Sequence, residues 1–128
     1  MKKSAYILLA TLMLLSSCTT VGDIKPGQGS SFEVSDRNYN DIWRASVEVV
    51  SRNLTILESD KALGIVKAEK RAGATTWGEL IGVFIVPPKT DAKQYTVEVV
   101  SKKRLMTQLT GQDWTATIVA GIKAELGM

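Results

Sequence analysis

The stretch that most restricts the fold of this chain is Trp77 to Pro88, WGELIGVFIVPP. Successive side chains of a β-strand point to opposite faces. Read that way, the stretch sets Trp77, Ile81, Val83 and Ile85 on one face and Gly78, Leu80, Gly82, Phe84 and Val86 on the other. Both rows are apolar, so a sheet containing this strand needs cover on both sides. Helices on one side supply half of that cover. The second row then calls for a loop, the N-terminal segment, a ligand or another protein. Gly78 and Gly82 fall in that row, where missing side chains admit a close backbone or leave a cleft. Pro87 and Pro88 end the strand and discourage further pairing. We therefore expect a partner surface drawn from Trp77, Leu80, Ile81, Val83, Phe84 and Ile85, one row of which faces away from the helices. The alternative is a central strand or loop folded wholly into the core.

The rest of the chain supplies the other elements. Phe32 and Val34 alternate with polar neighbours as a short strand. Asn38 offers an N-cap to a helix whose apolar face carries Tyr39, Ile42, Trp43, Ser46, Val47, Val50 and Leu54, with Asn40, Asp41, Arg44, Glu48 and Arg52 opposite. Thr55 to Asp60 and Ile65 to Arg71 alternate on either side of a turn, as a hairpin does. Gln94 to Lys103 alternates again, and the spacing predicts its continuation through Leu105 to Leu109 after a bend. Gly111 breaks that strand, and Asp113 can cap a last helix carrying Trp114, Ile118, Ile122 and Leu126 at intervals of four. Trp43 and Trp114, each in the first turn of a predicted helix, are expected in the core. The order strand, helix, about four strands, helix predicts an α+β domain: an antiparallel sheet of four or five strands with both helices on one face. No internal repeat is present.

The body from Phe32 to Leu126 resembles the helix-grip type of small lipoprotein domain, including the lipoprotein accessory subunits of the outer-membrane β-barrel assembly machinery. In Ser59-Asp60-Lys61, Gly64-Ile65-Val66-Lys67-Ala68 and Thr110-Gly111-Gln112-Asp113-Trp114 it is more closely similar to uncharacterised proteobacterial lipoproteins. The resemblance implies a fold and a compartment, and it carries over no catalytic residue.

The N-terminus points to the same compartment. Lys2 and Lys3 precede an uncharged run from Ala5 to Leu15, whose eleven residues rise about 16 Å as helix against a hydrocarbon core of roughly 30 Å. Such a run reads as a secretory signal over residues 1–17. It ends in Leu15-Ser16-Ser17-Cys18, which resembles the lipobox of bacterial lipoproteins. That resemblance implies a diacylglyceryl group on the Cys18 sulfur and cleavage before it, with the freed amine often acylated too. Cysteine suits the role because its thiolate is a strong nucleophile near neutral pH, and two or more acyl chains anchor stably where one binds reversibly. Thr19, where an aspartate would favour the inner membrane, implies the outer membrane, facing the periplasm. The partner expected first is therefore a membrane. Thr19 to Ser31, TTVGDIKPGQGSS, has neither strand nor helix periodicity and predicts a flexible tether able to reach about 40 Å, followed by one domain over residues 32–128.

Composition narrows the chemistry. The chain has no histidine and one cysteine, which removes the commonest general base, the commonest metal ligand, thiolate zinc clusters and an internal disulfide. Ser-x-x-Lys does not occur, so no serine has that activating partner. Gly27 and Gly29 do not lie between a strand and a helix, as a phosphate loop requires. Asn53-Leu54-Thr55 matches a glycosylation sequon, a triplet that arises often by chance. Glu58 and Asp60 lie two apart on a strand and so share a face, as a metal site or acid/base pair requires; a solvated strand face explains them as well. We expect no catalytic residues, metal or cofactor, and no enzyme. Once Lys2 and Lys3 are removed, 14 basic residues stand against 13 acidic ones, a net charge of +1 that argues against nucleic-acid binding. The dense basic cluster, Lys102, Lys103 and Arg104, is a candidate contact for lipid headgroups.

These features predict a lipid-anchored, non-catalytic binding or scaffold module of the cell envelope, with an envelope protein as partner. The alternative is a small apolar ligand held in a cavity between helix and sheet.

Overall fold

The computed structural model describes residues 19–73, 78–104 and 113–128. Among them are five strands, β1 (Ser30–Ser35), β2 (Thr55–Asp60), β3 (Ile65–Lys70), β4 (Glu79–Val86) and β5 (Gln94–Lys103), with helix α1 (Tyr39–Asn53) after β1 and helix α2 (Thr115–Glu125) after β5. The strands form one sheet, all neighbours antiparallel, in the order β1-β5-β4-β3-β2. The fold is therefore α+β, with a five-stranded sheet, as the pattern of elements predicts. Consecutive hairpins run from β2 to β5, and β1 pairs with the remaining edge of β5. That order leaves β4 in the middle with both edges paired, and its two apolar rows each belong to a buried cluster.

Local chemistry sets the ends of the elements. The Asn38 side chain accepts from the Asp41 backbone N–H at 2.8 Å and caps α1. The N-cap of α2 is Trp114, not the expected Asp113, whose carboxylate instead accepts from Thr115 N–H at 2.9 Å; α2 thus begins one residue later than the apolar spacing suggests. In the β2–β3 turn, the Asp60 carboxylate accepts from Leu63 N–H at 3.0 Å. Gly64 there has φ +69, and a Cβ on it would stand 2.5 Å from the Ile85 carbonyl oxygen. A bulge between Ile56 and Glu58 turns Leu57 outward.

Both helices pack on the β4 face that carries Ile81, Val83 and Ile85, joined there by Val66, Val97 and Val99 from neighbouring strands. Ile42, Val50, Ile118 and Ile122 close this core from the helix side. Trp114 is buried as expected, whereas Trp43 and Val47 are half-buried and Ala45 and Val49 lie fully inside. The difference arises because α2 lies beside α1: a Cβ on Gly121 would stand 2.6 Å from Val49 Cγ1, so the helices approach closely there. Arg37 donates to the Leu126 carbonyl from Nε and Nη2, at 3.1 and 2.8 Å, and holds the end of α2 against the start of α1.

Candidate functional site

The sheet face turned away from the helices is built of rows set by strand register. Glu69, Leu80 and Lys102 form one row, Lys67, Gly82 and Val100 the next, and Ile65, Phe84 and Glu98 a third. Leu80, Phe84 and Val100 are buried there, under residues from before β1. The segment predicted as a flexible tether is packed across this face instead. Ile24, 1% exposed, sits over Gly82, where a Cβ would stand 2.4 Å from Ile24 Cγ2. Gly82 thus leaves an indentation and Ile24 fills it.

Polar groups around the indentation fix the segment's backbone. The Lys67 ammonium donates to the Val21 carbonyl at 3.3 Å, and the Lys102 ammonium to that of Asp23 at 3.4 Å. Gly27 N–H donates to both Glu98 carboxylate oxygens, at 2.7 and 2.9 Å, and Gly29 N–H to one of them at 3.0 Å. A Cβ on Gly29 would stand 2.0 Å from the Val99 carbonyl oxygen, so backbone lies directly on backbone there. At the other end, Thr19 N–H donates to the Arg104 carbonyl at 2.6 Å. Between these points Val21–Asp23 forms a single turn of 3₁₀ helix. The Asp23 carboxylate accepts from Thr20 N–H at 2.7 Å and from its hydroxyl at 3.0 Å. These bonds, to the backbone first, hold the Asp23 pKa below its ordinary value, and Lys102 and Lys25 add to the effect.

This arrangement alters the expected partner surface. Ile81, Val83 and Ile85 lie beneath the helices, and Leu80 and Phe84 beneath Ile24 and its neighbours, so all five are enclosed by this chain alone. Val86 ends the outer row and is 55% exposed. Gly78 precedes β4 with φ +98, and a Cβ there would stand 2.5 Å from the Lys70 carbonyl; it serves the turn, not the row of Gly82. Trp77, Cys18, the signal residues, the continuation at Leu105 to Leu109 and Thr110 to Gln112 lie outside the described residues.

The basic cluster has roles within the fold. Lys102 holds the N-terminal segment, and Arg104 pairs with Glu69 at 2.6 Å while its N–H donates to the Gly78 carbonyl at 2.9 Å. Lys103, between them, also has a partner. Glu58 and Asp60 share a face as expected, but Glu58 faces Lys67 at 3.8 Å and Asp60 closes its turn. Among the described residues no three acidic or thiol side chains cluster as metal ligands. No helix among them is long and apolar enough to cross a membrane. A cleft of about 480 Å³ lies between α2 and the start of β1, open to solvent and lined largely by polar residues, among them Gln28, Ser30, Ser101 and Asp113. It is not the enclosed apolar cavity that a small apolar ligand would need.

Sequence reasoning missed Ile24, Lys67 and Glu98 as the residues that seat the N-terminal segment. The available signal was Ile24, an isolated branched residue in a polar stretch, opposite a glycine in an otherwise bulky row. No protein-family model matches this chain, and no curated protein sequence matches it.

Proposed function

We propose that this protein is a lipid-anchored, non-catalytic binding or scaffold module of the bacterial cell envelope, held through Cys18 on the periplasmic side of the outer membrane. The observation that carries this reading is the lipobox-like run Leu15-Ser16-Ser17-Cys18 after an uncharged apolar stretch, and the fixed position of Thr19 says what such an anchor would hold. The residue following the lipobox-like cysteine is bonded to the end of β5, and the segment after it is part of the fold. Acyl chains on Cys18 would therefore hold a folded body directly, with the membrane as first partner and an envelope protein on the outward side as second. The residue inventory supports a role without catalysis, because no histidine or second thiol is present to activate a nucleophile.

The test is a Cys18→Ser variant followed by radiolabelled palmitate and membrane fractionation. Loss of label, retention of the unprocessed form and, for the parent chain, sedimentation with outer-membrane density are expected. Unchanged labelling would overturn lipidation at Cys18, and sedimentation of the parent chain with inner-membrane density would overturn the location.

A further inference from the structure

Resting on that lipid-anchored reading, we infer that the sheet end bearing Lys70, Arg71, Lys102, Lys103 and Arg104 is a binding surface for anionic phospholipid headgroups. The placement follows from covalent geometry. Consecutive Cα atoms are about 3.8 Å apart, so the acylated residue lies one peptide unit from Thr19, and Thr19 is bonded to Arg104. A free tether of thirteen residues would let the body face the membrane in any orientation. The packed segment removes that freedom and brings the ends of β3 and β5 to the bilayer.

The charge at this end fits that surface. Lys70 lies on the helix side of the sheet, its ammonium 5.9 Å from the centre of the Trp114 ring, and Lys102 lies on the opposite side against the Asp23 carbonyl. Arg71 follows β3 and is exposed. Basic groups thus ring the end of the sheet on both sides, which suits an end-on approach better than a flat one. The acidic groups nearby are engaged or enclosed: Glu69 pairs with Arg104, Glu79 is buried, Asp23 bonds to Thr20, and Asp113 accepts from Thr115 N–H. The opposite end, at the β2–β3 turn, presents Leu63, 58% exposed.

The experiment uses the full lipidated chain, carrying Ala72→Cys at the basic end or Leu63→Cys at the far end, each labelled with a fluorescent maleimide. Both positions are exposed. The proteins are reconstituted into phosphatidylcholine vesicles with and without phosphatidylglycerol, with a quencher attached to the headgroups. In phosphatidylglycerol vesicles the label at 72 should be quenched far more than that at 63. The contrast should fall on raising salt, and in a variant combining Lys70→Gln, Lys102→Gln and Lys103→Gln, since each basic group near an anionic surface is worth about fivefold in occupancy. The salt titration needs no substitution in the basic cluster, so it decides the matter even if the triple variant folds poorly. Equal quenching at both positions, or a contrast indifferent to salt and to phosphatidylglycerol, overturns the inference. Maleimide labelling of the parent chain separates the two failures: an acylated Cys18 takes no label, whereas a reactive Cys18 thiol removes the anchoring reading itself.

Discussion

At Gly82 a methyl group would meet Ile24 Cγ2 at 2.4 Å and the Phe84 ring at 2.9 Å, so a single added carbon contests the seat of the N-terminal segment. Gly82→Ala should cost about 1–3 kcal/mol by overpacking and speed proteinase K cleavage within residues 19–29; melting with digestion of the same sample measures both. Phe84 is buried, so Phe84→Ala should cost about 3–5 kcal/mol, and Leu80→Ala and Ile81→Ala about 2–5 kcal/mol each. Val86→Ala, at an exposed position, should stay within about 0.5 kcal/mol. A melting series in which Phe84→Ala is as mild as Val86→Ala would contradict the covered face. Asp23 makes a separate prediction. Its folded pKa is depressed, so its contribution is present above the ordinary aspartate value of 3.8 and lost as pH falls through the lower folded value. Exchange of the Thr20 amide should accelerate relative to a free amide only in that acidic window, and Asp23→Asn should abolish the dependence.

Among the elements, those legible in the sequence are the ones whose signals are local. The cap at Asn38, the spacing of four from Trp114 to Leu126 and the alternation on either side of the β2–β3 turn each lie within fewer than twenty residues, and each element formed within a residue of where its pattern lies. The two rows of β4 were legible as well, since alternation alone assigns Ile81, Val83 and Ile85 to one face and Leu80 and Phe84 to the other. What covers the second row was not. Its cover comes from a segment some sixty residues earlier in the chain, whose contacts are mostly backbone bonds to Lys67, Lys102 and Glu98 and leave no periodicity to read. Glu98 carries a prediction at this scale. Glu98→Ala leaves Gly27 and Gly29 N–H without their acceptor and should cost about 1 kcal/mol, the site being exposed, while Glu98→Gln keeps one oxygen and should cost less. Equal stability of the two variants in denaturant titration would remove the carboxylate from the account.

For the whole molecule, the consequence of packing residues 19–29 onto the sheet is that the body begins immediately after Cys18 and not after a spacer. The sheet has cover on both faces, helices on one and the N-terminal segment on the other, and the end where that segment begins is also the basic end of β5. Under the lipid anchoring proposed above, acyl chains on Cys18 would fix both distance and orientation, and would leave the β2–β3 turn and Val86 facing away from the membrane, where the proposed envelope partner would bind. The measurement that bears most directly on this account is amide hydrogen exchange on the full chain. The N–H groups of Thr19, Ile24, Gly27 and Gly29 are all bonded in the fold, so they should exchange well below random-coil rates and become faster together in Gly82→Ala. Random-coil exchange across residues 19–29, beside a protected β5, would show a free tether and contradict the account.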